Sequence, residues 1–479
     1  MDSSRRRWAT LTGVALASFM TFLDNNVVNV ALPSIQRDLG LTISGLEWIV
    51  SSYILVFSGL MLVGGRLADV YGRRRVFLIG LVVFTGASLL AGIATSPAML
   101  VGSRVVQGVG AALTMPATLA IISATFPDER ERNRAVGVWT AVGALALALG
   151  PFTGGFISER WDWGWIFLIN VPVGAATIGI IAVSMRESRD AVRRRLDLPG
   201  LVTSSTGLFA LTYALIEGHN AGWTSPLILG SFTVAALATA AFIVIESRTA
   251  DPMIDLSLFR ERVFSGGTAA MVLWGFGVMG IYFFTALYLQ NVLRFSPTEA
   301  GAAFVPMALF MAMTAPVADP IARRFGTHRT VAAGLALNVI GMIMVSFVGE
   351  QGGFADLVPA FVLFGIGSGL VMMPLTSAII GVLPPNRAAA ASGILNTARE
   401  VSGLLGVTII GAILTTRQAA AARGGADPLH AFLDGYQFAL VIAAVIVFAG
   451  VPVAWYTMHT RKAPEPAQPI EELTPEPVG

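Results

Sequence analysis

Fourteen times between residues 8 and 457 the sequence runs through roughly twenty mostly apolar residues before a polar break. At about 1.5 Å of rise per residue, such a run as a helix crosses a hydrocarbon core about 30 Å thick. Inside lipid every backbone N–H and C=O must be satisfied without water, and a helix does this within one segment. The pattern therefore predicts an all-α membrane protein. Spans are expected near residues 8–32, 46–67, 76–95, 98–124, 135–157, 164–184, 198–217, 226–245, 264–288, 299–318, 330–348, 356–382, 389–415 and 435–457. Only 13% of the residues are charged, about half the share in an average soluble domain. The run from Trp8 to Leu32 follows Arg5-Arg6-Arg7 but exceeds the length of a signal-peptide core, so it reads as the first span.

Composition also excludes function classes. There is no cysteine, which removes disulfides and thiolate metal sites. The four histidines, His219, His328, His430 and His459, fall on expected loops and ends, so no metal or cofactor site is expected. A net charge of +2 gives no reason to expect nucleic acid as a partner. An integral-membrane enzyme would need clustered His, Cys or acidic residues near a membrane surface, and the sequence shows none; the chain is not expected to be an enzyme.

Basic residues set the orientation. With the N-terminus cytoplasmic and the spans alternating, twenty-four of the 31 basic residues fall on the cytoplasmic side. Arg37, Arg160, Arg294, Arg417 and Arg423 fall outside, and Arg104 and Arg399 lie within spans. That asymmetry is the positive-inside bias, and it places both termini in the cytoplasm. The chain also repeats. The segment 67–75, LADVYGRRR, resembles 321–329, IARRFGTHR, and Met115-Pro116 resembles Met373-Pro374. Two related halves separated by two extra spans fit this spacing, as in transporters that rock one bundle against another around a central site. The expected division is a six-helix bundle over 1–188, two additional spans over 189–256, a second six-helix bundle over 257–462 and a disordered cytoplasmic tail over 463–479.

A charge at mid-bilayer costs at least ~2.5–3.5 kcal/mol, so each intramembrane charge needs a reason. Asp24 lies about 24 Å into the first span and Glu400 about 16 Å into span thirteen. An acid in a water-poor interior can hold either a proton or a lipophilic cation, and that exclusion couples the two flows. The plainer readings are a hydrogen bond from Asp24 to a helix backbone and a local pair of Glu400 with Arg399. Arg104 in span four, facing Gly108 one turn on, either biases a nearby acid or clamps carbonyl groups. In the first hairpin, Gly65 permits close helix approach, Gly72 a tight turn, and Asp69 can pair with arginines such as Arg73. That loop reads either as a breakable latch between bundles or as a topogenic charge cluster. Gly143, Gly150, Gly154 and Gly155 give span five a small-residue face and Pro151 bends it; close packing suffices to explain them. Asn29 and Asn396 are polar groups assigned to inward faces, and Trp139, Phe276, Tyr282, Met279 and Phe283 offer surface for flat lipophilic compounds.

These segments resemble the major facilitator superfamily. Gly65, Leu67, Asp69, Gly72, Arg73 and Arg74 match its hairpin signature, and 100–112 is similar to its fourth-span motif with a buried arginine. The stretch Gly143 to Gly155 is similar to its antiporter motif. The segments 23–33, 165–172 and 392–400 resemble the fourteen-span drug–proton antiporters. Asn26, Gly164 and Glu400 depart from the residues usual there, which are Thr, Arg and Gln. The resemblance implies a major facilitator fold of two six-helix bundles plus two inserted helices. It implies proton coupling through Asp24, Arg104 and Glu400, and cargo binding by Asp24, Asn29, Trp139, Phe276, Tyr282, Asn396 and Glu400. It implies gating by Gly65, Asp69, Gly72, Arg73, Gly150, Pro151, Gly154 and Gly155. The function implied is export of drugs, antibiotics or other amphiphiles across a bacterial cytoplasmic membrane in exchange for protons, by a monomer in the bilayer and without a cofactor. The rival expectation is a proton-coupled carrier of an endogenous metabolite or lipid.

Overall fold

The computed structural model of the chain describes residues 3–189, 197–249, 252–383 and 385–459, the side chains of 3 and 385–390 excepted. Among these residues there is no β-strand, and fourteen helices are long and apolar enough to cross a membrane. They are Ser4–Leu39, Ile43–Tyr71, Arg73–Gly92, Pro97–Thr125, Glu129–Arg160, Trp165–Ser184, Leu198–Ala221, Pro226–Arg248, Arg262–Asn291, Pro297–Phe325, Thr327–Ser346, Phe354–Gly381, Ala391–Arg423 and Pro428–Thr457, named here spans one to fourteen. The expected disordered tail lies outside the described residues.

Local chemistry sets many of the boundaries. Thr42, Ser96, Asp128, Ser225 and Asp427 each accept a bond from a backbone N–H in the first turn of the helix that follows, satisfying donors that a helix start leaves free. Ser296 and Glu299 form a reciprocal capping box at the start of span ten. Span four is interrupted at Met115-Pro116, where the proline ring removes a donor. Its repeat counterpart Pro374 lies within an unbroken helix.

Spans one to six pack on one another, as do spans nine to fourteen. Spans seven and eight form a pair, with span seven leaning on spans two and thirteen. The halves meet chiefly through span five on span ten, span two on span thirteen and span one on span nine. The sequence repeat is written into the backbone. Gly72 and Gly326 both take positive φ, 112° and 94°, at the same hairpin position. Gly110 crosses against the Gly80 carbonyl, as Gly367 does against that of Gly334. A side chain at Gly108 would strike the Tyr53 carbonyl, and one at Gly365 that of Met307.

Candidate functional site

A cavity of about 1500 Å³ lies between the halves. Span five and span ten touch at one end of the molecule, where Gly155 lies against the Pro297 carbonyl and Gly301 against that of Pro151. At the same end Gln290 Nε2 donates to the Val30 carbonyl across 2.7 Å, and the Thr298 N–H donates to Glu159 across 3.0 Å. Farther along, the two spans part, and Trp139, Gly143, Met307 and Met311 face the cavity. The cavity reaches the opposite end, where Arg66, Asp69, Arg73, Asp255 and Arg260 ring it. The chain is thus closed at one end and hollow toward the end that carries the Gly72 hairpin.

Glu400 and Asn396 of span thirteen line the cavity, with Arg399 beside them. Arg399 Nη2 donates to Glu400 Oε1 across 3.0 Å, so the adjacent side chains do form a local pair. Tyr282 of span nine faces the same space; its ring stacks on Phe304, 4.9 Å between centroids, and Phe304 stacks on Phe361 at 5.4 Å. Trp139 lines the cavity and donates Nε1–H to Ser18 Oγ at 2.7 Å. Methionines recur along the remaining wall, among them Met61, Met115, Met279, Met307, Met311 and Met372. Unbranched thioether chains re-pack readily around different shapes.

Asp24 lies elsewhere. It is fully buried in the first half and does not line the cavity. Its Oδ2 accepts from Arg104 Nη1 at 2.5 Å, and Oδ1 accepts from Asn170 at 2.9 Å and Gln107 at 3.2 Å. Arg104 donates again to Gln107 Oε1 at 2.9 Å and, through Nε, to the Ile49 carbonyl at 3.2 Å. Gln107 also donates to Ser88 Oγ at 2.8 Å. The guanidinium sits 4.2 Å from the centre of the Tyr53 ring, a cation–π contact strengthened by the dry surroundings. A buried ion pair is tolerable only when its remaining lone pairs and protons find partners; here Asp24 has three donors. Arg104 Nη2 and the Tyr53 hydroxyl are the buried polar atoms of this cluster left without a hydrogen-bond partner.

The structure thus brings Asp24 and Arg104 together and puts Glu400 apart from them, in the cavity. Asn29 is buried, donates only a long 3.5 Å bond to the Asn25 carbonyl and, like Phe276, does not line the cavity. Its neighbour Asn26 does. Gly65, Asp69 and Arg73 face the cavity, and Asp69 pairs with Arg73 one turn on at 2.8 Å rather than with the second half. Gly72 packs against Glu187, Gly150 against Asn26 and Gly154 against the Val27 carbonyl. Gln107, Asn170, Ser88 and Tyr53 were not singled out from the sequence. The signal for Gln107 was its place three residues after Arg104 on one helix face; for Asn170, an amide near the start of an otherwise apolar run. Among the described residues no group of three or more His, Cys, Asp or Glu is arranged to hold a metal ion.

Comparisons with known proteins agree along the chain. The profile of the Major Facilitator Superfamily matches residues 14–407. The chain is 34% identical over 464 residues to the puromycin resistance protein of Streptomyces alboniger, covering 95% of this chain and 92% of that one. It is 38% identical over 400 residues to the cephamycin export protein of Amycolatopsis lactamdurans, covering 82% of each. The crystal structure of an auto-inhibited POT family peptide transporter superposes with a TM-score of 0.72 at 15% identity, over 97% of this chain and 99% of that one; this likeness concerns the fold.

Proposed function

The chain belongs to the Major Facilitator Superfamily, and from that premise we propose that it is a proton-coupled antiporter exporting antibiotics, drugs or other amphiphilic organic compounds across a bacterial cytoplasmic membrane. One observation carries this reading: a large cavity between the halves has Glu400 in its wall beside aromatic and thioether side chains, while another carboxylate, Asp24, is buried with Arg104 outside it. The names of the relatives, resistance to puromycin and export of cephamycin, support the direction and the class of cargo.

With both termini in the cytoplasm, as the arginine distribution favours, the cavity opens inward. Cargo then enters from the cytoplasm and lies against Tyr282, Trp139 and the methionines, a cation drawn also to Glu400. Rocking of the halves breaks the Gly155–Pro297 and Pro151–Gly301 contacts and opens the other end. A proton taken up there neutralises an acid, cargo leaves, and the return stroke delivers the proton inside. A proton taken by Asp24 would strip Arg104 of its counter-charge and so bias the packing of the cluster. Asn29 and Phe276, beside these elements but outside the cavity, take a supporting part. The work is done by one chain, whose two halves, with the end of span eight and the segment after it, line the cavity.

Purified protein in proteoliposomes tests this. Puromycin and a cationic dye are expected to move only when a pH gradient is imposed, with counterflow of protons. Equal rates with and without the gradient overturn the reading.

A further inference from the structure

Glu47 stands in the closed end of the molecule, five residues into span two counted from Ile43. It is 2% exposed, and its Oε1 is buried without a hydrogen-bond partner. The carboxyl faces Gly411 of span thirteen, where a side chain would overlap Oε1, with the Phe284 ring of span nine beside it. Span two belongs to the first half; spans nine and thirteen belong to the second. The carboxyl is therefore clamped across the seam that alternating access must open.

The charged groups around it are otherwise engaged. Glu217 of span seven accepts from Trp48 Nε1 at 2.8 Å and from Asn220 at 3.2 Å. Arg104 of span four reaches the backbone at Ile49 but is held by Asp24. Asp38 at the end of span one accepts from Trp163. Arg417, beyond Gly411 on span thirteen, pairs with Asp434 of span fourteen at 2.8 Å. Among the described residues Glu47 has no ion-pair partner, and its Oε1 has no donor. An ionised carboxylate buried without a partner is strongly disfavoured, so the closed seam accommodates the neutral acid. Opening the seam hydrates the group and lets it ionise.

We propose that Glu47 is a second proton-binding site, separate from Asp24 and Glu400, whose protonation from the outer solution is required for the outer seam to close. The inference rests on the antiport reading, and it deepens that reading by tying the outer proton to the return stroke. A group that binds a proton in the closed form and releases it in the open form makes the closed-to-open ratio fall about tenfold per unit of rising pH, over the range where only the open form is ionised. Acid outside thus drives the emptied carrier back to its inward-open form.

The chain contains no cysteine, so paired spin labels enter without background. Trp161→Cys and Phe347→Cys, both exposed, place labels on the two halves. The full-length protein in nanodiscs is expected to show a distance distribution that shifts toward the short, closed form as pH falls. Glu47→Gln, nearly isosteric, is expected to stay closed at every pH. Gly411→Ala, which crowds the carboxyl, is expected to favour the open form. A wild-type pH response in Glu47→Gln overturns the inference, as does a wild-type distance that ignores pH. Transport by the same variants in proteoliposomes separates the failures: proton-driven efflux with an unaltered Glu47→Gln response sinks only this inference, whereas efflux indifferent to the gradient sinks the antiport reading itself.

Discussion

The first half buries Arg104 against Asp24, and the second half, at the matching place in the repeat, buries Phe361 against Phe304. The pairing of Gly108 with Gly365 and of Gly110 with Gly367 sets the register, which puts Phe361 opposite Arg104 and Phe364 opposite Gln107. The backbones are alike, down to glycines that press on a neighbouring carbonyl. The side chains are not: three donors on one carboxylate on one side, three stacked rings leading to the cavity on the other. The close helix crossings recur in both halves, because these tolerate no added atoms. The space between them differs in polarity. We therefore propose that proton chemistry centres on the Asp24–Arg104 cluster of the first half, while cargo meets aromatic and thioether surface from both halves, with Glu400 as its charged contact.

The sharpest way to break this comparison is to remove one member of each pair. Asp24→Asn is expected to abolish proton-driven efflux, a loss of about a hundredfold or more, while the protein still inserts; undiminished transport in vesicles would remove the first half's special role. Arg104→Leu leaves Asp24 buried and uncompensated, and is expected to cost about 3–5 kcal/mol of stability. Phe361→Leu should cost only about 1–2 kcal/mol. Denaturation in detergent compares the two, and equal losses would show that the halves differ less than their chemistry suggests. A double variant, Asp24→Asn with Arg104→Gln, should recover most of the lost stability without recovering transport, since stability follows the pairing and coupling follows the charge.

Smaller effects sharpen the assignment. Glu400→Gln is expected to weaken uptake of cationic cargo about tenfold, some 1.4 kcal/mol, and neutral cargo little. A panel of matched charged and neutral compounds reads this directly, and equal effects on both would leave Glu400 without a part in charge recognition. Asp69→Asn touches a pair that is partly exposed, worth at most about 1 kcal/mol. Turnover is expected to slow by at most about fivefold with cargo affinity intact; a change in affinity alone would move Asp69 from gating to binding.

What the sequence alone settled follows from requirements that act along a single segment. Fourteen apolar runs, their polar caps and prolines, the bias of arginines and the repeated hairpin are each legible residue by residue. The number of spans and the fold class are therefore forced before any contact is known. What only the tertiary structure decided is which way each span faces. In lipid, both the inward and outward sides of a helix are apolar, so no polar face marks the cavity. Span eight is the least buried yet has a mean hydropathy of 2.3, while span nine is the most buried at 1.8. That is why Asn26 rather than Asn29 reaches the cavity, why Asp24 turns away from it toward Arg104, Gln107 and Asn170, and why Glu47, unremarkable in sequence, closes onto Gly411 from the other half of the chain. Helix rotation is fixed by packing against distant segments, and no local pattern encodes it.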